Sequence, residues 1–199
     1  MKKRVGVLAL QGDVREHAYA IHKSGAVDSL VRRPDDLKSI DALILPGGES
    51  TTISKLLHIF SLFQPLKDAI GSGLPVFGTC AGMILLAKEI LDGSADQDSL
   101  SAMNITVRRN AFGRQVDSFE KELDLRAVKA GTLTAVFIRA PWIERHGPGV
   151  EVIASVENDG QAHPVLAREG KLLASSFHPE ILQGDRYLIH EFFINEVAS

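Results

Sequence analysis

The stretch that decides the fold is Leu74-Pro75-Val76-Phe77-Gly78-Thr79-Cys80-Ala81-Gly82-Met83-Ile84-Leu85-Leu86-Ala87-Lys88-Glu89-Ile90. Its apolar first part predicts a buried strand, and the part from Met83 to Ile90 has the composition of a helix. Between them, a small–x–nucleophile–x–small pattern indicates a nucleophile elbow, a sharp turn that exposes one side chain. Glycines at 78 and 82 let the strand and the helix approach closely. We therefore predict an α/β fold with Cys80 presented at the elbow.

Cys80 is the only cysteine among the 199 residues of the chain. A lone cysteine is usually a small buried hydrophobic residue, but the thiol of an elbow cysteine lies at the N-terminus of a helix. The helix dipole and the free N–H groups there favour the thiolate, which is the reactive form. We therefore interpret Cys80 as a nucleophile. A single cysteine also excludes an internal disulfide framework and is compatible with a reducing compartment, so we expect a cytoplasmic protein.

The first half of the chain alternates strands with helices, which predicts a parallel sheet covered by helices on both faces. Near-continuous apolar runs, typical of such strands, lie at residues 5–10, 26–32, 41–45 and 74–78. Helices are predicted at residues 13–23, 53–59 and 62–72. The residues Ser50-Thr51-Thr52 are suited to cap the second of these helices.

The second half is predicted to contain shorter strands, some of them antiparallel or mixed with the main sheet. They lie at residues 105–107, 116–119, 133–138, 150–156, 164–167 and 172–177. A closing helix over residues 185–197 has apolar side chains on one face. Since no repeat or linker interrupts the chain, we expect one three-layer α/β domain over residues 1–199, with a mixed, mostly parallel central sheet flanked by helices.

The composition is that of an ordinary soluble globular domain, with 45% hydrophobic and 24% charged residues. The formal net charge of -3 at pH 7 provides no basic surplus for nucleic acid or for an anionic membrane, so neither is expected as a partner. The N-terminus briefly resembles a signal peptide, but its apolar run is too short and Gln11-Gly12-Asp13 ends it. It is better interpreted as a first buried strand.

A base for the thiol is offered by Ser176-Phe177-His178-Pro179-Glu180, which follows the last predicted strand. His178 and Glu180 fall at a strand end, on the edge where α/β sheets place their sites, and the intervening proline restricts the backbone. In this interpretation His178 activates Cys80 and then protonates the leaving group. Glu180 holds the imidazole tautomer and stabilises its charged form.

Acyl transfer also needs hydrogen-bond donors for the developing oxyanion. The backbone N–H of Ala81, directly after the nucleophile, is placed for this by the elbow. We expect the second donor from Pro46-Gly47-Gly48-Glu49-Ser50, at the end of the third strand, because its two glycines permit a backbone in which an N–H points into the site.

These three motifs together resemble the triad-type, or class I, glutamine amidotransferases. Within that class the chain is similar to the glutaminase subunits of pyridoxal 5′-phosphate synthase. The similarity is carried by Leu10-Gln11-Gly12, Leu45-Pro46-Gly47-Gly48-Glu49-Ser50-Thr51-Thr52, Arg109-Asn110-Ala111-Phe112-Gly113-Arg114-Gln115-Val116-Asp117-Ser118-Phe119, Phe137-Ile138-Arg139-Ala140-Pro141 and Ser176-Phe177-His178-Pro179-Glu180. The triad motifs specify only the class, whereas the blocks at 109–119 and 137–141 specify the subfamily.

The resemblance implies hydrolysis of L-glutamine to glutamate and ammonia. Cys80 would form a γ-glutamyl thioester, and water activated by His178 would release glutamate. The resemblance further implies that the oxyanion hole uses Gly48 and Ala81. The implied glutamine-contacting residues are Gly47, Gly48, Glu49, Arg109, Ile138 and Arg139. An arginine suits the substrate's α-carboxylate and a glutamate its α-ammonium, while Ile138 offers only backbone groups or apolar contact.

The resemblance also implies a partner, a (β/α)8-barrel synthase subunit that makes pyridoxal 5′-phosphate from a pentose 5-phosphate, glyceraldehyde 3-phosphate and ammonia. In that family the glutaminase is silent until docked, and up to twelve of each subunit form the complex. We expect docking through the first helix and the glycine loop, with Gln11 positioning the loop or touching the partner. No cofactor and no metal site is expected.

Four other functions are compatible with parts of this pattern. Another class I glutaminase, such as the one serving imidazole glycerol phosphate synthesis, is disfavoured by Phe112-Gly113-Arg114-Gln115. A γ-glutamyl hydrolase would be expected to carry secretory features. A cysteine hydrolase of the DJ-1/PfpI type usually lacks the His-Pro-Glu arrangement. A non-catalytic regulatory subunit would be indicated by the loss of Cys80 or His178, and both are present.

Overall fold

The computed structural model describes residues 2–94, 96–112, 118–128, 131–181 and 186–199. Its helices are α1 (Val14–Lys23), α2 (Ser50–Ile59), α3 (Phe63–Gly71), α4 (Ala81–Leu86) and α5 (Leu188–Phe192), the last continued by a π-helical turn at Phe193–Val197. Short 3-10 helices lie at Pro34–Ser39 and Arg126–Val128. The strands are β1 (Arg4–Leu8), β2 (Val27–Val31), β3 (Ala42–Leu45), β4 (Val76–Thr79), β5 (Ala87–Leu91), β6 (Met103–Arg108), β7 (Ser118–Asp124), β8 (Thr132–Ile138), β9 (Trp142–His146), β10 (Glu151–Asn158), β11 (Gln161–Glu169) and β12 (Leu172–Ser175).

The central sheet has the strand order β10-β11-β12-β4-β3-β1-β2 within the described residues. The five strands from β12 to β2 pair in parallel, and β11 and β10 continue the sheet in antiparallel pairing. The predicted mixed, mostly parallel sheet is therefore confirmed. The carboxyl ends of β3, β4 and β12 lie side by side, which brings the glycine loop, the elbow and the His-Pro-Glu segment to one edge.

Strand β3 shows why the first four strands are so uniformly apolar. All four of its residues are fully buried. Leu43 and Leu45 belong to the apolar core that also contains residues of α2, α3 and α4, whereas Ala42 and Ile44 belong to the core that contains residues of α1, α5 and the final π-helical turn. Because successive strand residues point to opposite faces, the two cores lie on the two faces of the sheet and confirm the three-layer arrangement.

The helix predicted after the elbow is shorter than expected. It ends at Leu86, where Ala87 adopts an extended conformation (φ -61°, ψ 144°) and starts β5. The predicted helix over Met83 to Ile90 is therefore wrong in its second half. Strand β5 pairs in parallel with β6, which in turn pairs antiparallel with β9. A neighbouring strand provides the hydrogen bonds that a longer helix would have made internally, and β9 was missed by the sequence analysis.

The other predicted strands of the second half are present, with shifted ends. Strands β7 and β8 form a separate antiparallel hairpin, whose Phe137 is fully buried in the core beside α1. The segment Gly113-Arg114-Gln115-Val116-Asp117, which carried part of the family resemblance, lies outside the described residues, as does Asp185 at the predicted start of the closing helix. Across the described part of the chain, no helix combines the length and the hydropathy needed to cross a membrane.

Candidate active site

The elbow predicted at Cys80 is present. Cys80 joins β4 to α4 with φ 47° and ψ -99°. Residues other than glycine rarely adopt a backbone conformation with a positive φ. A Cβ on Gly82 would lie 2.1 Å from the carbonyl oxygen of Leu45, and a Cβ on Gly78 would lie 2.5 Å from the backbone of Gly82. The glycines therefore allow α4 to approach β3 and β4 closely enough to hold the strained turn.

His178 and Glu180 form a buried pair just beyond β12. His178 Nδ1 lies 2.6 Å from Glu180 Oε1, and both residues are buried. The backbone N–H of His178 donates to the carbonyl of Val136 at 2.9 Å, which ties the segment to β8. The pair has the geometry in which a carboxylate orients an imidazole and stabilises its charged form.

Protonation of this pair is controlled by opposing effects. Burial disfavours the imidazolium of His178, but hydrogen bonds with Asp13, Cys80 and Glu180, together with the charge of Glu180, raise its pKa to about 12. Burial raises the pKa of Glu180, while the contact with His178 pulls the pKa of the same carboxyl down. We place the proton on His178, where it can stabilise a thiolate at Cys80.

A cleft of about 460 Å³ opens at the elbow and collects most of the predicted site residues. Those lining it are Cys80, His178, Gly48, Glu49, Ala81, Arg109, Ile138 and Arg139. Two predicted residues lie outside the lining. Glu180 is buried behind His178, and Gly47 packs on the imidazole, where a Cβ would lie 2.6 Å from His178 Cε1. The volume is in the range of small-molecule sites.

The glycine loop is held by Gln11. The backbone N–H of Glu49 donates to Gln11 Oε1 at 2.9 Å. Gly48 has φ +152°, and a Cβ there would lie 2.4 Å from the same amide oxygen. Only glycine therefore fits between Gln11 and the cleft in this loop conformation.

Glu49 and Arg109 form the charged part of the cleft. Glu49 accepts hydrogen bonds from the backbone N–H groups of Thr51 and Thr52, at 3.1 and 2.7 Å, so it is the N-cap of α2. The predicted cap at residues 50–52 is thus one to three residues too late, because these residues form the first turn of α2. Burial opposes the charge on Glu49, but hydrogen bonds from Thr52 and Thr51 outweigh it and lower the pKa. Arg109 Nη2 lies 3.2 Å from Glu49 Oε1.

Sequence reasoning missed several polar residues that support the site. Arg109 Nη1 donates to Gln97 Oε1 at 2.8 Å, although Gln97 lies outside all the motifs that carried the family resemblance. Asp13 Oδ2 lies 3.4 Å from His178 Nδ1, and His17 Nε2 lies 3.3 Å from Glu180 Oε2. The spacing of Asp13 and His17, four residues apart at the start of a helix, was a signal that both face the same side. Nothing local indicated Gln97.

The ligand-type atoms of Asp13, His178 and Glu180 lie within 4.8 Å of one another, a spacing that could hold a cation. His178 Nδ1 and Glu180 Oε1 are, however, bonded to each other at 2.6 Å, which occupies the atoms that a cation would need. We therefore interpret this cluster as part of the hydrogen-bonded machinery around Cys80.

Triad-type glutamine amidotransferases place an elbow cysteine on a mostly parallel sheet and a His-x-Glu segment after a neighbouring strand, and this chain has that arrangement. The chain belongs to the SNO glutamine amidotransferase family, which it matches over residues 7–199. It is 57% identical over 199 residues to a protein of Mycobacteroides abscessus, with 100% of both chains covered. It is 55% identical over 198 residues to a protein of Rhodococcus opacus, covering 98% of this chain and 97% of the relative.

Both relatives are named pyridoxal 5′-phosphate synthase subunit PdxT. A solved structure titled as a crystal structure of glutamine amidotransferase superimposes with a TM-score of 0.87 at 47% identity, covering 98% of each chain. The family resemblance described from the sequence is therefore confirmed, over nearly the whole chain.

Proposed function

We propose that this protein hydrolyses L-glutamine to L-glutamate and ammonia, and that it delivers the ammonia to a synthase that makes pyridoxal 5′-phosphate. The observation that carries the proposal is the placement of Cys80 in one cleft with His178 and with the charged residues Glu49 and Arg109. A nucleophile, its base and two groups matched to an amino acid zwitterion thus share one small-molecule site.

The first half-reaction builds the thioester. The thiolate of Cys80 attacks the γ-carboxamide carbon, and the developing oxyanion accepts hydrogen bonds from the backbone N–H groups of Gly48 and Ala81. The imidazolium of His178 then donates its proton to the carboxamide nitrogen. The carbon–nitrogen bond breaks, ammonia leaves, and the γ-glutamyl group remains on sulfur.

The second half-reaction frees the enzyme. Neutral His178 accepts a proton from water, whose oxygen attacks the thioester carbon, and the carbon–sulfur bond breaks to release glutamate. The proton returns the thiolate–imidazolium pair to its starting state. Glu180 keeps the imidazole oriented through both steps by its 2.6 Å hydrogen bond.

Substrate recognition is assigned to the charged residues of the cleft. The carboxylate of Glu49 binds the α-ammonium group, and the guanidinium of Arg109 binds the α-carboxylate. Ile138 and Arg139 complete the pocket for the amino acid, and Gly47 contributes by seating the ring of His178 beside the loop. The direct contact between Glu49 and Arg109 gives way when the substrate's two charges take its place.

The synthase partner is proposed to be a (β/α)8-barrel subunit, in a complex of up to twelve copies of each chain. A groove of about 640 Å³ beside α1 supports docking there, since its lining includes Gln11, Gly12 and Asp13 next to the glycine loop. Gln11 lies between this groove and Glu49, so a partner that moves Gln11 releases the loop. This arrangement supports an activity that depends on docking.

We further propose that residues 1–199 form one glutaminase domain that needs no cofactor and works in the cytoplasm. The family match over 7–199 supports the single domain. A reducing compartment keeps the Cys80 thiol available for catalysis.

The test is glutamate release from L-glutamine by the purified chain alone, with the synthase subunit, and by Cys80→Ala with the synthase subunit. We expect negligible release alone, strong release with the partner and none from the variant. High release that the partner leaves unchanged would keep the glutaminase and contradict docking control. No release from any wild-type mixture would contradict the proposed function.

A further inference from the structure

His17 lies behind the catalytic pair on the buried side of α1. It is fully buried, and its Nε2 lies 3.3 Å from Glu180 Oε2 and 3.1 Å from Thr79 Oγ1. Its Nδ1 lies 2.9 Å from Nε2 of His190, which is also fully buried. A line of polar groups therefore runs from α5 through α1 to the carboxylate that holds His178.

Glu180 Oε2 needs a donor. Glu180 Oε1 is hydrogen-bonded to His178, whereas Oε2 is buried and, among the described residues, makes no hydrogen bond of good geometry. A buried carboxylate oxygen without a donor is costly to keep charged. Among the described residues, His17 Nε2 lies within reach of Glu180 Oε2 at 3.3 Å, and the same nitrogen lies 3.1 Å from Thr79 Oγ1.

The contacts fix the tautomers of both histidines. Burial, followed by the neighbouring histidines His190 and His178, lowers the pKa of His17 well below its usual value, and burial lowers the pKa of His190 to about 3, so both rings are neutral. His190 Nδ1 has no partner among the described residues, and an orphaned buried N–H is rarer than an orphaned buried acceptor. His190 therefore carries its proton on Nε2 and donates it to His17 Nδ1. His17 then carries its proton on Nε2, beside Thr79 Oγ1 and Glu180 Oε2.

We propose that His17 is a positioning residue for glutamine hydrolysis, whose Nε2–H lies between Thr79 Oγ1 and Glu180 Oε2 and, by its attraction to that carboxylate, keeps Glu180 charged and aligned on His178. The inference rests on the proposed function for its kinetic consequence. His17 touches neither substrate nor Cys80, because Glu180 and His178 stand between them. Its effect is on the charge state of Glu180 during the step in which His178 is an imidazolium.

Other titratable groups also face the His178–Glu180 pair. Asp13 approaches His178 from the start of α1, Cys80 approaches it from the elbow, and His190 reaches the pair only through His17. Asp13 contacts His178, and its carboxylate only accepts hydrogen bonds, so it cannot replace a donor to Glu180 Oε2. Loss of the His17 donor therefore favours the protonated form of Glu180, and the acid limb of the activity profile moves to higher pH.

Two substitutions separate the donor from the bulk of the ring. The amide nitrogen of His17→Gln reaches about as far as imidazole Nε2, so this variant keeps a donor for Glu180. The amide of His17→Asn ends near the position of Nδ1, so this variant keeps a polar contact toward His190 and loses the donor. Both are measured in complex with the synthase subunit, as kcat and KM for glutamine across pH 5 to 10, beside wild type.

For His17→Asn we expect kcat to fall about 10-fold to 100-fold, the range that corresponds to the loss of one hydrogen bond to a charged group, with KM little changed and the acid limb moved to higher pH. His17→Gln should retain most of the kcat and the wild-type limb. The proposal is overturned if the Asn variant keeps the wild-type kcat and limb. It is also overturned if both variants lose kcat equally and the acid limbs of their pH profiles stay where they are in wild type. That result would show an effect of side-chain packing alone.

A second readout does not depend on glutamine hydrolysis. The rate at which iodoacetamide alkylates Cys80, the only cysteine in the chain, reports the thiolate–imidazolium pair at each pH. We expect the profile of His17→Asn to shift and that of His17→Gln to follow wild type. Three superimposable profiles would overturn the proposal even if wild type released no glutamate, which is the separate failure of the proposed function.

If His17→Asn does not fold, as judged by its thermal unfolding, the proposal is tested with His190→Phe, which changes the hydrogen-bond partner of His17. It removes the N–H that fixes the tautomer of His17, so a smaller shift in the same direction is expected in both readouts. A folded His190→Phe with wild-type profiles overturns the proposal.

Discussion

Arg109 and Glu49 are paired with each other in the cleft, with Nη2 of the guanidinium 3.2 Å from Oε1 of the carboxylate. The two residues assigned to opposite ends of the substrate's zwitterion thus neutralise one another before substrate binds. The pair is partly exposed, so its own contribution to stability is small. We expect the pair instead to hold both side chains near the positions in which they would meet the substrate's ammonium and carboxylate groups.

This relationship predicts how Glu49→Gln behaves. The amide still has an oxygen to cap α2, but it no longer provides a charge for the α-ammonium group. KM for glutamine is expected to rise about 10-fold to 100-fold, since hydrogen bonds to charged groups contribute about 1.5–3 kcal/mol, while kcat changes little. Steady-state kinetics of the complex measure this, and a fall in kcat at unchanged KM would contradict the assignment.

A second prediction concerns Gln97, whose amide oxygen holds Arg109 at 2.8 Å. Gln97→Ala leaves the guanidinium free to choose other rotamers, so KM is expected to rise about 3-fold to 10-fold, equivalent to about 1 kcal/mol for one hydrogen bond. The matched control is Asp98→Asn in the same loop. Asp98 contacts His58 at the surface, 2.9 Å away, and its variant should keep the wild-type KM.

The elbow predicts a stability difference between two glycines. Gly82→Ala would force a Cβ to within 2.1 Å of a backbone oxygen on β3, so the free energy of unfolding should fall by about 2–4 kcal/mol. Gly71→Ala, at the end of α3 with nothing within 4 Å, should be neutral or stabilising by up to about 1 kcal/mol. Urea unfolding compares them, and equal effects would contradict the close packing of α4.

The buried histidines predict how the free energy of unfolding changes at acid pH. Burial lowers the pKa of His190 to about 3, so between pH 6.5 and 3 the unfolded chain binds a proton there that the native protein does not. Stability therefore falls as the pH decreases through that window, by about 2 kcal/mol from pH 6.5 to 5 for one such group. His190→Phe should reduce this loss by about that amount, whatever its stability at pH 7.5, in urea titrations at the two pH values.

His178 acts in the opposite sense and in another window. Its pKa is raised to about 12, so its contribution to stability is fully present below pH 6.5 and declines as the pH rises toward 12. The effect of His190→Phe at acid pH is consequently not masked by His178. A variant whose loss between pH 6.5 and 5 equals that of wild type would contradict a neutral His190.

Much of this architecture could be predicted from local sequence. Apolar runs identified the strands buried on both faces, and the small–x–Cys–x–small pattern identified the elbow, because each depends on a few consecutive residues. The predictions were wrong where a partner that is distant in sequence decides the secondary structure. Residues 87–91 contain good helix formers, but β6 is available to pair with them, and they form β5.

Sequence alone determined that a cysteine, a histidine and a glutamate are present in motifs that suit acyl transfer, and that two glycines precede Glu49. Only the tertiary structure decided which groups surround them. Gln97 meets Arg109, and His17 meets Glu180, across 12 and 163 residues of chain. Such contacts are set by strand order and helix packing, and a buried carboxylate takes its donor from whichever element covers it.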